Sequence, residues 1–193
     1  MNILFTKLIL LLLVLNFYSC SPANILATGG ATTMVVAEGE RSLGEVVDDA
    51  TIKINIAAKF ISSKDNLFVN VNVTVLEGRV LLTGIVEEQE ARIDAVRRVW
   101  EVKGVREVIN EIETGNRDKL KDYANDLWIN TQAKGLAAKT LGLRSVAYNF
   151  ETINGKIFIA GISNNPESIE KLVDALKKIK GVKEIVNYVI IKE

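Results

Sequence analysis

The chain has 193 residues, 48% of them apolar, with 24 Lys and Arg against 24 Asp and Glu. That balance excludes a strongly basic nucleic-acid binder and an acidic tail protein, and the length suits two small domains of about 70 residues each. Histidine is absent and Cys20 is the one cysteine, which removes the common nucleophile–base pairs, Cys/His metal sites and any intramolecular disulfide.

At the N-terminus Lys7 precedes an apolar run, 8–15. It is far shorter than the roughly 20 residues of a spanning helix, but it suits the core of a secretory signal. Phe17-Tyr18-Ser19-Cys20 closes the run. A small residue before a cysteine at that place resembles the lipobox of bacterial lipoproteins. The resemblance implies a signal peptide over 1–20 and a lipid on Cys20, and Ser21 after it implies sorting to the outer membrane. An ordinary cleaved signal and an uncleaved anchor are the rival readings. Residues 21–44, with Pro22, Gly29-Gly30 and Gly39, read as a flexible tether. Its r.m.s. reach is roughly 25 Å, which keeps the folded part near its membrane.

From Val69 to Ile112 the chain matches itself at an offset of 77 residues, without a gap. Gly78, Gly84, Gly104, Val105, Glu107 and Asn110 return as Gly155, Gly161, Gly181, Val182, Glu184 and Asn187. This is a duplicated module, read here as 45–115 and 116–193. Each copy opens with a helix. The first runs through Asp48-Asp49 to Phe60, with Ile52, Ile56 and Phe60 on one stripe, although 52–56 also alternates as a strand would. Asp48-Asp49 is the only close carboxylate pair near a helix start, and an N-cap explains it better than an oxygen-ligated Mg or Ca site. In the second copy the helix spans about 119–141.

Next, 69–75 alternates valine with polar residues, a half-buried strand, and Val146, Tyr148 and Phe150 take the same places in copy two. Glu77-Gly78 and Asn154-Gly155 then predict tight hairpins whose central residues take positive φ. Gly84 and Gly161 interrupt the second strand, as at a bulge or a close approach of backbone. A helix follows, capped in copy two by Asn165 with Pro166 in its first turn and ended by Gly181. Its apolar stripe is Ile169, Leu172, Val173, Leu176 and Ile179; copy one offers Ile93, Val96, Val99 and Val102. Last strands run over 105–112 and 182–191. The order αββαβ, twice, predicts an α+β fold of two three-stranded mixed sheets, each covered by two helices.

The αββαβ unit, the glycine after its first strand, and the endings Gly104-Val105-Arg106-Glu107-Val108-Ile109-Asn110 and Gly181-Val182-Lys183-Glu184-Ile185-Val186-Asn187 resemble the BON domain of bacterial envelope proteins. That resemblance implies tandem BON domains with no enzymatic activity and no cofactor. It also implies a periplasmic, lipid-anchored protein that supports outer-membrane integrity. The ligand it implies is an anionic phospholipid membrane, met by the first helix of the second module. The residues that follow from it are Leu120, Lys121, Tyr123, Ala124, Leu127, Trp128, Thr131, Lys134 and Gly135.

On helical spacing, Ile129, Ala133 and Leu136 face the sheet, and Trp128 lies about 100° round from Ile129, at the edge of that stripe. A tryptophan near lysines suits a membrane interface, while a plug between the two modules is the competing role for both Trp128 and Tyr123. Residues 21–115 carry 10 basic and 15 acidic side chains against 13 and 9 in 116–193, so the first half is net −5 and the second +4. An adaptor that binds outer-membrane assembly or cell-wall remodelling proteins is the alternative function, through β-augmentation on the strand over 182–191. A freely soluble periplasmic protein is a third reading, excluded if Cys20 is acylated.

Overall fold

In the computed structural model, which describes residues 43–115 and 120–192, each repeat folds as αββαβ with one short helical insertion. Cys20, the signal segment and the tether up to residue 42 lie outside the described residues. Helix α1, Leu43–Ile61, buries Ile52, Ile56 and Phe60 as its spacing predicts, so the helical reading of this segment holds over the alternating one. A four-residue helix α2, Leu67–Asn70, leads into β1, Val71–Leu76. Strand β2, Arg79–Val86, returns antiparallel to β1; helix α3, Gln89–Trp100, crosses over; and β3, Glu107–Thr114, pairs parallel with β2. The second module repeats this with α4, Leu120–Leu141, a 3-10 turn over Gly142–Ala147, β4, Asn149–Ile153, and β5, Lys156–Ser163. It closes with α5, Pro166–Leu176, and β6, Glu184–Ile191. Sheet orders are β1-β2-β3 and β4-β5-β6, both mixed.

Asp48-Asp49 is no N-cap, because α1 begins five residues before Asp48 and Asp49 is buried in its second turn. The Asp49 carboxylate accepts the N–H groups of Glu77 and Gly78 at 2.8 and 2.9 Å, across the β1–β2 turn. Asp126, 77 residues on, accepts from Asn154 and Gly155 at 2.8 Å each. Both turns have positive φ at both central residues, as the Glu-Gly and Asn-Gly pairs require. The carbonyls of Gly78 and Gly155 in turn accept from Arg106 and Lys183 N–H at 2.8 Å, tying in the last strand.

Five sequence expectations shift in detail. The first strand starts at Val71, since Asn66 at φ 50° turns the chain and Leu67 drops fully buried into the core, leaving Val69 exposed. In copy two the 3-10 turn likewise takes Val146 out of the strand. On α3 the buried face is Ala91, Ala95 and Val99, continued by Val102 beyond the helix; Ile93 is exposed, because small residues let this helix sit close to the sheet. The last strands begin two residues late, after the turns at Gly104 and Gly181. The cap of α5 holds, since Asn165 Oδ1 accepts from Ser168 N–H at 2.9 Å with Pro166 at the helix start, but the helix ends at Leu176 and not at Gly181, which follows a further stretch of turns. Gly84 and Gly161 mark close approaches, where a Cβ would lie 2.1 Å from the Asn70 carbonyl oxygen and 2.4 Å from the Tyr148 ring.

Helices cover one face of each sheet, and the other face is covered by the other module. Val80, Leu82 and Val86 point into the first core while Leu81 and Ile85 point the opposite way, meeting Phe158, Ala160 and Ile153. This is why β2 and β5 are buried along almost their whole length instead of alternating. The result is a sandwich of helices, sheet, sheet and helices. Tyr188 Oη donates to Glu111 Oε1 at 2.5 Å, and these two residues are repeat equivalents, so they straddle the pseudo-twofold axis between modules. Asn154 Nδ2 to Glu113 at 2.7 Å and the Lys192–Glu77 ion pair rim the same junction.

Losing the clasp leaves two turn N–H groups without their carboxylate, so Asp49→Ala and Asp126→Ala each lower unfolding free energy by about 1.5–3 kcal/mol in urea titrations. Burial, then the Glu111 carboxylate, pushes the Tyr188 hydroxyl up to about 12. A raised folded-state value favours the folded chain below pH 10 and loses that contribution as pH climbs towards 12. Tyr188→Phe therefore flattens the alkaline fall in stability by about 1–2 kcal/mol relative to the parent, read by denaturant melts across that window.

Candidate functional site

Helix α4 is held by its inner face. Ile129, Ala133 and Ala137 are fully buried against the second core, with Leu136 and Leu141 packing at its margin. Asp126 is committed to the hairpin turn, which fixes the rotation of the helix. Near its middle the helix meets the loop after α5: a Cβ on Gly181 would lie 3.2 Å from Ile129 Cδ1 and 3.3 Å from Asn125 Oδ1. This contact places the loop that holds the exposed Lys180 against the turn that carries Trp128, while the stem of the exposed Lys183 lies over Gly155. Their positions follow from the same 77-residue offset as the glycines, as counterparts of Lys103 and Arg106, but the charge pattern alone did not single them out.

The outer face gathers the sequence-predicted residues into two adjoining rows. Ala124, Trp128, Thr131 and Gly135 form the outermost row, and Tyr123, Leu127 and Lys134 the next, all of them exposed. Trp128 is 46% exposed, Tyr123 52% and Leu127 57%. The side chains of Leu120 and Lys121 lie outside the described residues. Neither Trp128 nor Tyr123 joins the junction between modules, which Leu76, Leu81, Ile85, Ile153, Phe158 and Ala160 fill, so the plugging role is set aside. Thr131 Oγ1 donates to the Leu127 carbonyl at 2.8 Å, which satisfies the hydroxyl and leaves its methyl outward. A Cβ on Gly135 would meet nothing within 4 Å, so no packing demands a glycine there. The exposed side chains one turn either side of the indole are Ala124, Asn125, Thr131 and Gln132, all small or uncharged.

Module one differs at the same place. Thr51 stands where copy two has Trp128, and it lines a cleft of about 400 Å³ with Glu45, Asp48, Lys103 and Arg106. Asp48 and Glu77 of this cleft become Asn125 and Asn154 in copy two, which removes two acids beside the tryptophan. Among the described residues no group of three or more His, Cys, Asp or Glu is placed to hold a metal, and no described helix is long and apolar enough to cross a membrane.

A family model described as the BON domain matches residues 48–116 and 125–193. The chain belongs to the BON-domain family. It carries two BON modules in tandem. A protein of Anaplasma centrale, described as an uncharacterized protein in the gshII 5' region, is 35% identical over 147 residues, covering 76% of this chain and 96% of the other. The outer membrane lipoprotein DolP of Haemophilus influenzae is 27% identical over 159 residues, 82% of each chain. The osmotically-inducible protein Y of Escherichia coli is 26% identical over 167 residues, 81% of this chain and 82% of that one.

Because Gly135 has open space and an ordinary helical backbone, Gly135→Ala raises stability by about 0.5–1 kcal/mol, whereas Gly84→Ala lowers it by more than that. Thermal melts of the two variants check the contrast.

Proposed function

We propose that this BON protein is a non-enzymatic phospholipid-binding lipoprotein on the periplasmic face of the outer membrane, where it supports membrane integrity. Cys20 carries the lipid, and α4 of the second module reads anionic phospholipid. The observation that carries the reading is the half-exposed Trp128, set among small outward residues on the net-positive module, with the loop that holds the exposed Lys180 packed against the same helix. An indole seated at headgroup level buries its apolar rings and keeps its N–H wet, and lysine stems lie along such a surface with their charges in the headgroups. The likeness to an outer membrane lipoprotein supports the location.

The two attachments have different roles. Acyl chains on Cys20 contribute about 0.8 kcal/mol for each buried methylene, enough to hold the protein without help. A lysine near an anionic surface adds only about 1 kcal/mol, so α4 selects which part of the membrane is occupied. Residues 36–193, which hold both BON modules, sediment with vesicles containing anionic phospholipid and not with zwitterionic ones. Trp128→Glu abolishes that sedimentation, and in the acylated protein it changes distribution while leaving the protein membrane-bound. Unchanged vesicle binding by the variant contradicts the reading.

A second reading, an adaptor for envelope proteins, draws on β6, which pairs with β5 on one side and forms the edge of its sheet. A strand added there would take its specificity from the alternating side chains of the edge.

A further inference from the structure

The outward face of α1 is the repeat counterpart of the outward face of α4, with different chemistry. Where α4 carries Ala124, Trp128, Thr131, Gly135 and Ala138, α1 carries Val47, Thr51, Ile54, Ala58 and Ile61. The intervals are four, three, four and three residues, the spacing of a coiled-coil seam. Val47 is 62% exposed, Ile54 68% and Ile61 66%. Thr51 Oγ1 donates to the Val47 carbonyl at 2.9 Å, so it too turns a methyl outward. Both flanks of the row are nearly free of charge: Ala50 and Ala57 on one side, Asn55 and Ser62 on the other, with Asp48 the one acid. Lys59 is drawn aside to Glu101 at 2.7 Å. Single exposed aliphatics are ordinary, but a heptad-spaced row with uncharged flanks marks a contact surface.

A bilayer is a poor occupant of this face. The row lacks an aromatic residue like that of α4, its basic neighbours Lys103 and Arg106 share their cleft with Glu45 and Asp48, and the back-to-back sheets put α1 and α4 on opposite outer faces of the sandwich. We propose that α1 is a self-association face, pairing antiparallel with α1 of a second copy about a twofold axis near Ile54. That arrangement sets Val47 against Ile61 of the second copy and Thr51 against its Ala58. Ile54 meets its own counterpart, and Asp48 comes beside Ser62, so no like charges oppose each other. The row is its own complement in shape and in charge. At 19 residues α1 is about 28 Å long, and one such helix pair buries less than the roughly 1,200–2,000 Å² of a standard interface, so the dimer is weak and exchanges in the micromolar range. Pairing through α1 leaves both copies of α4 uncovered, so this inference stands apart from the lipid reading.

Sedimentation velocity of residues 36–193 across the micromolar range shows a monomer–dimer exchange. Ile54→Glu sets two carboxylates face to face at the axis and weakens the association by at least about tenfold. Its circular dichroism and melting temperature stay as in the parent, because the side chain is exposed. Trp128→Glu leaves the association unchanged. Ile54→Cys, in a segment with no other cysteine, joins copies through a disulfide when two thiols pass two electrons and two protons to a mild oxidant. A monomer at every concentration overturns the proposal, as does a dimer indifferent to Ile54→Glu.

Discussion

A carboxylate on the first helix of each module, Asp49 or Asp126, accepts both N–H groups of the hairpin turn opposite it. The turn needs such a partner, since its central residues sit at positive φ and their donors point away from the strand ladder. By gripping the helix and the turn together, the clasp fixes helix rotation, and rotation decides which residues become core. With Asp126 inward, Ile129 and Ala133 must pack on the sheet, and Trp128 and Thr131 must face out. The turn carbonyl then receives the N–H of Arg106 or Lys183, so one cluster joins helix, hairpin and last strand.

From that fixed frame the two copies diverge where the frame does not constrain them. Inner faces stay apolar, and both sheets meet through residues such as Leu81 and Phe158. Outer faces are free to differ, and they do: α1 carries a row of aliphatics, α4 a tryptophan among small residues. Back-to-back packing points these surfaces in opposite directions. A duplicated fold has thereby produced two unlike faces from one geometry, with the net charge of the halves split as well.

Much of this was legible in the residues. Alternating valines, the Glu-Gly and Asn-Gly turns, and the capped stripe from Asn165 to Ile179 each express a local rule that tertiary structure did not override. The outward setting of Trp128 followed from its spacing to Ile129. What local rules missed was tertiary in origin. Asp49 looked like a cap because acidic residues near a helix start usually are; its real partner lies 28 residues away, and only the recurrence of an aspartate at the 77-residue offset hints at it. Ile93 looked like core on hydrophobicity, yet close packing of α3 selected Ala91 and Ala95. Lys180 escaped notice because the loop that holds it packs against Asn125 and Ile129.

The central claim is that the indole on α4 enters an anionic lipid surface, and fluorescence depth measurement tests it most directly. The chain has two tryptophans, so Trp100→Phe isolates the signal of Trp128. In vesicles of anionic phospholipid with brominated acyl chains, the account predicts a blue-shifted emission that is quenched by the shallow bromines, and neither effect in zwitterionic vesicles. Emission unchanged by anionic vesicles would contradict it.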